Sequence, residues 1–351
     1  MFTTCEAVTP GHPDKLCDQI SDAILDAHLT HDPNARVACE VMATKDKLII
    51  AGEITSTATV DYKATAQNVI ADTGYVGVWE YQPEIINALN TQSENIARHT
   101  NPTLKEKQGA GDQGIMFGYA HNPASGLHPA HEAATKIVRL MTRLHNQNPN
   151  KWGPDGKTQV TWDDIRNKPV TIIASQQHGI PLHEAREELS NNIRHLLPDA
   201  QTITINPGGQ FNIGGPAADT GLTGRKIIAD TYAGVARHGG GAFSGKDPSK
   251  VDRSAALAAR QAAKWLARAY QTTKVEVALA YAIGIPEPVS IQVRDHTGYR
   301  ADMTREALHR FEFTPHAITH RLKLTRPTWI ETAKYGAFTN PEFEWEKTDK
   351  S

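Results

Sequence analysis

The chain has 351 residues, with 37 basic and 39 acidic side chains and a formal net charge of −2. Hydrophobic residues make up 39% and charged residues 22%, which excludes a collagen-like or wholly disordered chain, and the length suits two or three domains. Near-neutral charge argues against a nucleic-acid binder or a basic membrane-surface protein, so any anion site must come from local clusters of Lys and Arg.

No apolar run reaches the roughly 18 residues of a membrane span, and the start carries neither a basic leader nor an apolar core. A cytoplasmic protein is expected. Cys5, Cys17 and Cys39 lack metal-type spacing and are expected to be reduced thiols.

In chain order, the strand candidate FTTCEAV precedes a helix over Pro13–Leu29, with Leu16, Ile20, Ala23, Ile24 and Ala27 at helical spacing and Pro13 suited to the first turn. A hairpin follows, ARVACEVMAT and LIIAGEITS around Lys45–Asp46–Lys47, then the helix DYKATAQNVIADTGY, ended by Gly74. After the strand candidate GIMFGYA, the same order returns as HEAATKIVRLMTRLH, TQVTW with PVTIIAS, and HEAREELSNNIRHLL. It returns again as DRSAALAARQAAKWLARAY, KVEVALAYAIG with PVSIQV, and TREALHRF. Three α+β units of one design, with helices covering one face of each small sheet, are expected. Residues 93–111 are polar and aperiodic, as a lid or linker would be.

Three glycine-rich runs carry charge: GHPDK at 11–15, GAGDQG at 109–114, and the long run from Gly214 to Ser254. The last holds Arg225, Lys226, Arg237, Lys246, Lys250 and Arg253 among Asp219, Asp230, Asp247 and Asp252. Glycines let backbone approach a ligand and offer N–H groups to anionic oxygens. Lys and Arg neutralise phosphate, and interspersed aspartates suit Mg²⁺. Together they suggest a metal-bound polyphosphate. One such cluster would read as a self-neutralising surface loop; three in one chain point to a site. GGAFSGK at 240–246 fits the P-loop spacing, but Asp247 stands where a Ser or Thr is needed and no buried strand precedes it, so a Walker ATPase is rejected. The pairs His128/His131 and His316/His320 read as packing or solvated histidines. Asp14, Asp18, Asp22 and Asp26 form an i, i+4 stripe expected to be mostly a solvated face, Asp14 excepted. No Gly-x-Ser-x-Gly appears, and no cysteine has an activating neighbour.

GHPDK, GAGDQG, GGP…DTGLTGRK and RHGGGAFSGKDPSKVDRS, in this order, closely resemble the S-adenosylmethionine synthase (methionine adenosyltransferase) family, from about Cys5 to the terminal WEKTDK. The resemblance implies three similar α/β units with pseudo-threefold symmetry, each a small mixed or antiparallel sheet covered by helices. It implies domains at 1–95, 108–212 and 214–351, with a gate at 93–107. It also implies joining of ATP to L-methionine with cleavage of the triphosphate, two Mg²⁺ per site, and activation by K⁺. The expected assembly is a homodimer with active sites at its interface, pairing into a dimer of dimers.

Carried over by motif, His12 lies at the triphosphate, Asp14 and Asp252 bind Mg²⁺, and Glu40 binds K⁺. Glu53, Gln92, Asp219 and Lys250 surround methionine. Asp112, Asp155, Lys157, Gln210, Phe211, Asp219, Arg225, Lys226, Ala242 and Lys246 contact ATP, and Lys157, Arg225, Lys226, Lys246 and Lys250 join His12 in catalysis. Gln210 stands where the family usually has Arg or Lys, and Gly208 where it has Ser or Thr. Two other readings stand beside this one: an ATP-dependent ligase or phosphotransferase, and a nucleotide-binding regulatory subunit.

Overall fold

The computed structural model describes residues 1–91, 108–121 and 125–348. The expected gate at 93–107 and the expected methionine ligand Gln92 lie outside the described residues.

Twelve strands among the described residues form three four-stranded sheets. The first unit contains β1 (Phe2–Val8), α1 (Pro13–His31), β2 (Arg36–Ala43), β3 (Lys47–Thr55), α2 (Tyr62–Asp72) and β4 (Glu84–Asn90). The second contains β5 (Gly114–His121), α3 (Pro129–Gln147), β6 (Trp152–Asp163), β7 (Lys168–His178), α4 (Leu182–Leu196) and β8 (Thr202–Ile205). The third begins with β9 (Gly221–Leu222) and α5 (Ile227–Asp230), followed by α6 (Val251–Ala269) and β10 (Lys274–Tyr281). It continues through β11 (Ser290–Asp295), β12 (Gly298–Tyr299), α7 (Ala301–Arg310), α8 (Pro315–Arg321) and α9 (Trp329–Tyr335). The repeated helix–hairpin–helix order is therefore present, and the fold is α+β.

Each sheet borrows its edge strand from another unit. The orders are β1-β6-β7-β8, β5-β10-β11-β12 and β9-β2-β3-β4. Thus β1 pairs with β6 of the second unit, β5 with β10 of the third, and β9 with β2 of the first, all antiparallel. The exchange runs in a closed cycle, so none of the three units completes its sheet alone. The threefold likeness is broken at the far edges. β4 and β8 return parallel to their neighbours after a helix, whereas β12 is an antiparallel hairpin partner of β11.

Local sequence explains the elements. In β2, Val37, Cys39, Val41 and Ala43 are buried while Glu40 and Met42 are exposed, the period-2 pattern of a sheet covered on one side. α1 starts with Pro13 in its first turn and His12 as N-cap, and it continues two residues past the expected Leu29. α6 buries Ala255, Ala256, Ala258, Ala259, Ala262 and Ala263, small side chains that let it lie close on β5 and β10. One apolar core joins α1, β2 and β3 to α6 and β10, and another lies under α3, β6 and β7.

Candidate active site

A cleft of about 440 Å³ opens where α1 begins, against β6 and β7 and the segment after β8. His12, Asp155, Lys157, Phe211 and Asp219 line it, so five expected nucleotide contacts meet there. The N-cap geometry fixes the His12 ring: the Asp14 N–H donates to Nδ1 at 3.2 Å, which assigns the ring proton to Nε2. Burial, with Lys226 nearby, lowers the His12 pKa to about 3, so the ring is neutral at physiological pH.

One residue into α1, Asp14 is almost fully buried. Its Oδ1 accepts from the Leu222 N–H at 2.9 Å, its Oδ2 from Lys226 Nζ, and Arg225 Nε lies 3.7 Å away. Burial opposes the charge, but the Lys226 and Leu222 hydrogen bonds outweigh it and hold the carboxyl below its ordinary range. Asp155 behaves in the opposite way. Burial raises its pKa to about 7 although the Gly215 N–H donates to Oδ2 at 2.8 Å. Lys157 is half-exposed and paired at 2.8 Å with Glu6, a partner that sequence reasoning missed and that β1–β6 pairing brings near. Gln210 does not line this cleft; its amide donates to the Ile180 carbonyl at 3.1 Å.

The other expected residues gather elsewhere. Residues 245–247 run along β2: the Cys39 N–H donates to the Gly245 carbonyl, and Ala38 is bridged to Lys246. Ala38 also pairs with Glu53, so Lys246, Ala38 and Glu53 share one face of that sheet, with Glu40 two residues along β2 on the same face. Lys246 Nζ donates to Asp252 Oδ2 at 2.6 Å, and Lys250 Nζ to Asp247 Oδ2 at 2.6 Å. Asp247 is fully buried; Lys250 and Arg36 outweigh its desolvation and hold it below the usual carboxylate range. Asp112 caps its own turn through the Gln113 N–H at 2.7 Å, and Ala242 is half-buried beside Gly241. Among the described residues no hydrogen bond or ion pair joins this Lys246–Asp252 group to the His12–Asp14 group.

The aspartate stripe of α1 is not a solvated face. Asp14, Asp18 and Asp22 are 2%, 0% and 0% exposed. Asp18 accepts from the Gly224 N–H at 2.8 Å, Asp22 from the Gly245 N–H at 2.8 Å, and Asp26 from the Trp329 and Ile330 N–H groups. Lys15 joins Asp18 and Asp230 in a buried triad, and Arg253 forks onto both oxygens of Asp22 at 2.7 and 2.8 Å. The stripe is the seam that docks the third unit on the first.

The N–H groups of Gly215, Gly224 and Gly245 donate to anionic oxygens of the chain itself, those of Asp155, Asp18 and Asp22. At Gly245, φ is +77° and a Cβ would stand 1.9 Å from the Cys39 carbonyl oxygen, so only glycine fits there. Gly11 is equally constrained, with the Pro154 carbonyl 2.4 Å from its Cβ position.

The cysteines and the His128/His131 pair are held by packing. All three cysteines are buried free thiols, and burial pushes Cys5 up to about 12, which leaves it unreactive. No group of three or more His, Cys, Asp or Glu among the described residues could hold a metal ion by itself. His128 caps α3 and His131 is buried within it. No described helix is long and apolar enough to cross a membrane.

Three family models match in tandem: S-adenosylmethionine synthetase, N-terminal domain, over residues 1–94; central domain, over 107–211; and C-terminal domain, over 213–347. The chain is 46% identical to the S-adenosylmethionine synthase of Mesoplasma florum, an alignment covering 99% of this chain and 97% of that protein. It is 43% identical to the enzyme of the same name from Treponema denticola, covering 100% of this chain and 96% of that protein. With its whole described length matched in this order, the chain belongs to the S-adenosylmethionine synthetase family.

Proposed function

We propose that the His12–Asp14 and Lys246–Asp252 groups are two halves of the site in which this chain transfers the adenosyl group of ATP to methionine. The observation that carries the reading is the cleft lined by a neutral His12, Lys157 and Phe211, beside which Lys226 and Arg225 approach Asp14. The methionine sulfur attacks C5′ as the C5′–O5′ bond breaks; the bonding pair leaves with the triphosphate and sulfur becomes a sulfonium. Water then cleaves the triphosphate to diphosphate and phosphate.

A thioether is neutral and needs no general base, which suits a site without a catalytic triad. The demand falls on alignment, which contributes roughly 7–11 kcal/mol in well-oriented reactions, and on cations fixed where negative charge gathers. Lys226, Arg225, Lys157 and Lys246 supply that charge, and the Nε2–H of His12 donates to the departing O5′. Phe211 flanks the nucleoside, with Asp155, Asp112 and Ala242 around it. Asp219 and Glu53 face the methionine ammonium and Lys250 its carboxylate, with Gln92 beside them. The stretches 1–95, 108–212 and 214–351 are the three domains.

The family uses Mg²⁺ and K⁺. Asp14 and Asp252 are single carboxylates, each hydrogen-bonded to one lysine, with Arg225 3.7 Å from Asp14 as well. This donor set suits Mg²⁺ ions that take one carboxylate each and complete their shells with water and phosphate oxygens. Such ions, when bound, offset charge on the triphosphate. Glu40, exposed on β2, offers one oxygen donor group to K⁺.

That no hydrogen bond or ion pair joins the two groups among the described residues supports an active site built between two copies in a cytoplasmic homodimer, with dimers pairing further. Two inactive variants, Lys226→Ala and Lys246→Ala, test this. Co-refolded in equal amounts, they should regain about a quarter of wild-type activity, because half of the dimers are mixed and each holds one intact site. The assay follows methionine-dependent formation of the sulfonium with phosphate and diphosphate. No recovery would overturn the shared site, and release of AMP or ADP instead would favour a ligase or kinase.

A further inference from the structure

Away from that cleft, a second cavity of about 440 Å³ lies between the turn before β2, the turn leading into α6, and α8 with the residues that follow it. Arg36, Lys323 and Arg326 line it together with His316 and His320, and none of its lining residues is an aspartate or glutamate. In a chain with slightly more acidic than basic side chains, such a lining is a marked local excess of positive charge. Two of these cations have carboxylate partners: Asp247 lies 4.0 Å from Arg36, and Glu344 is 3.1 Å from Lys323.

Ser249, only 4% exposed, lines the cavity beside Asp247, whose carboxylate accepts from the Ser249 N–H at 2.9 Å. His316 and His320 stand one turn apart on α8, with ring centroids 6.5 Å apart, and add donors on the opposite wall.

We propose that this cavity is a second anion site that binds a condensed phosphate of the pyrophosphate class. Several oxygens on a compact, multiply charged body match three permanent cations and a hydroxyl spread around the lining. Ser249 belongs to the same turn as Lys246 and Lys250, so the bound anion touches the segment that carries two residues of the proposed catalytic array.

The test is titration calorimetry of the full-length protein with inorganic pyrophosphate, without ATP or methionine. The catalytic cleft also takes this anion, so three variants separate the sites. Lys323→Ala/Arg326→Ala, at two exposed positions, should lose one of two binding events per chain, or weaken it by roughly tenfold or more, while adenosyl transfer stays at the wild-type rate. Lys226→Ala should keep the event that the first variant loses. Lys63→Ala/Lys136→Ala, removing the same charge from other surfaces, should bind as the wild type does. Equal stoichiometry and affinity in the wild type and Lys323→Ala/Arg326→Ala would overturn the site. So would an equal loss in Lys63→Ala/Lys136→Ala, which would reduce the effect to net charge.

Discussion

Replacing Asp22 by Asn tests whether the seam between α1 and the third unit holds the chain together. Asp22 and Arg253 have side chains 0% and 1% exposed, so solvent does not screen their bidentate pair. Asn keeps an acceptor for the Gly245 N–H but leaves the guanidinium charged, with the Thr332 hydroxyl at 2.9 Å and the Trp329 ring centroid at 3.9 Å. Those contacts already exist and cannot offset the loss. Removing one partner of a buried ion pair costs about 3–5 kcal/mol, and that is the expected destabilisation. Arg253→Met should cost a similar amount by stranding the carboxylate. The double variant strands neither charge, so the two costs should fall short of adding by at least about 2 kcal/mol. Urea unfolding read by tryptophan fluorescence suits the question, because Trp329 reports from the pair itself. A loss below about 1 kcal/mol in Asp22→Asn, or strict additivity in the double variant, would refute this account of the seam. Activity should fall as well, since Arg253 also donates to the Lys246 carbonyl at 3.4 Å.

Three further outcomes follow from the site. With His12 held near 3, the pH–rate profile should show no inflection between 5 and 8 that disappears in His12→Asn; finding one would mean that the ring titrates in that range. Asp155 has an ordinary value of 3.8 raised to about 7, so the folded chain binds the extra proton. Its contribution is full below about 3.8 and is lost as pH rises through about 7. Asp155→Asn should therefore flatten the fall of melting temperature between pH 5 and 8, and an unchanged slope would contradict the raised value. Lys246→Ala and Asp252→Asn should abolish turnover while leaving circular dichroism and the melting transition near wild type; wild-type rates in either would remove that group from the site.

Much of this protein was legible because the informative signals are local. Alternation in β2 and the 3.6-residue spacing in α1 arise within a few residues of chain, so the hairpins and long helices could be placed beforehand. Short strands were harder. β8 is only Thr202–Ile205, although its alternation of Thr and Ile was a usable cue, and β9 is a pair of residues inside a glycine-rich run. The candidate site residues were marked by motif. Their grouping was not, for nothing in the spacing of His12 and Lys246 tells that they fall into separate clusters.

Sequence by itself determined the three-unit order and the chemistry offered by the charged glycine-rich runs. Only the tertiary structure decided which strand completes which sheet, and where the aspartates and glycine N–H groups of those runs are spent. The reason is range. Asp14, Asp18 and Asp22 meet backbone donors 208, 206 and 223 residues away. An i, i+4 row of aspartates has the same local pattern whether it faces water or distant N–H groups. Burial then reverses the energetics: a carboxylate that repels its neighbours mildly on a wet helix face becomes, once desolvated, a group that must be paired, and here it fastens the two ends of the chain together.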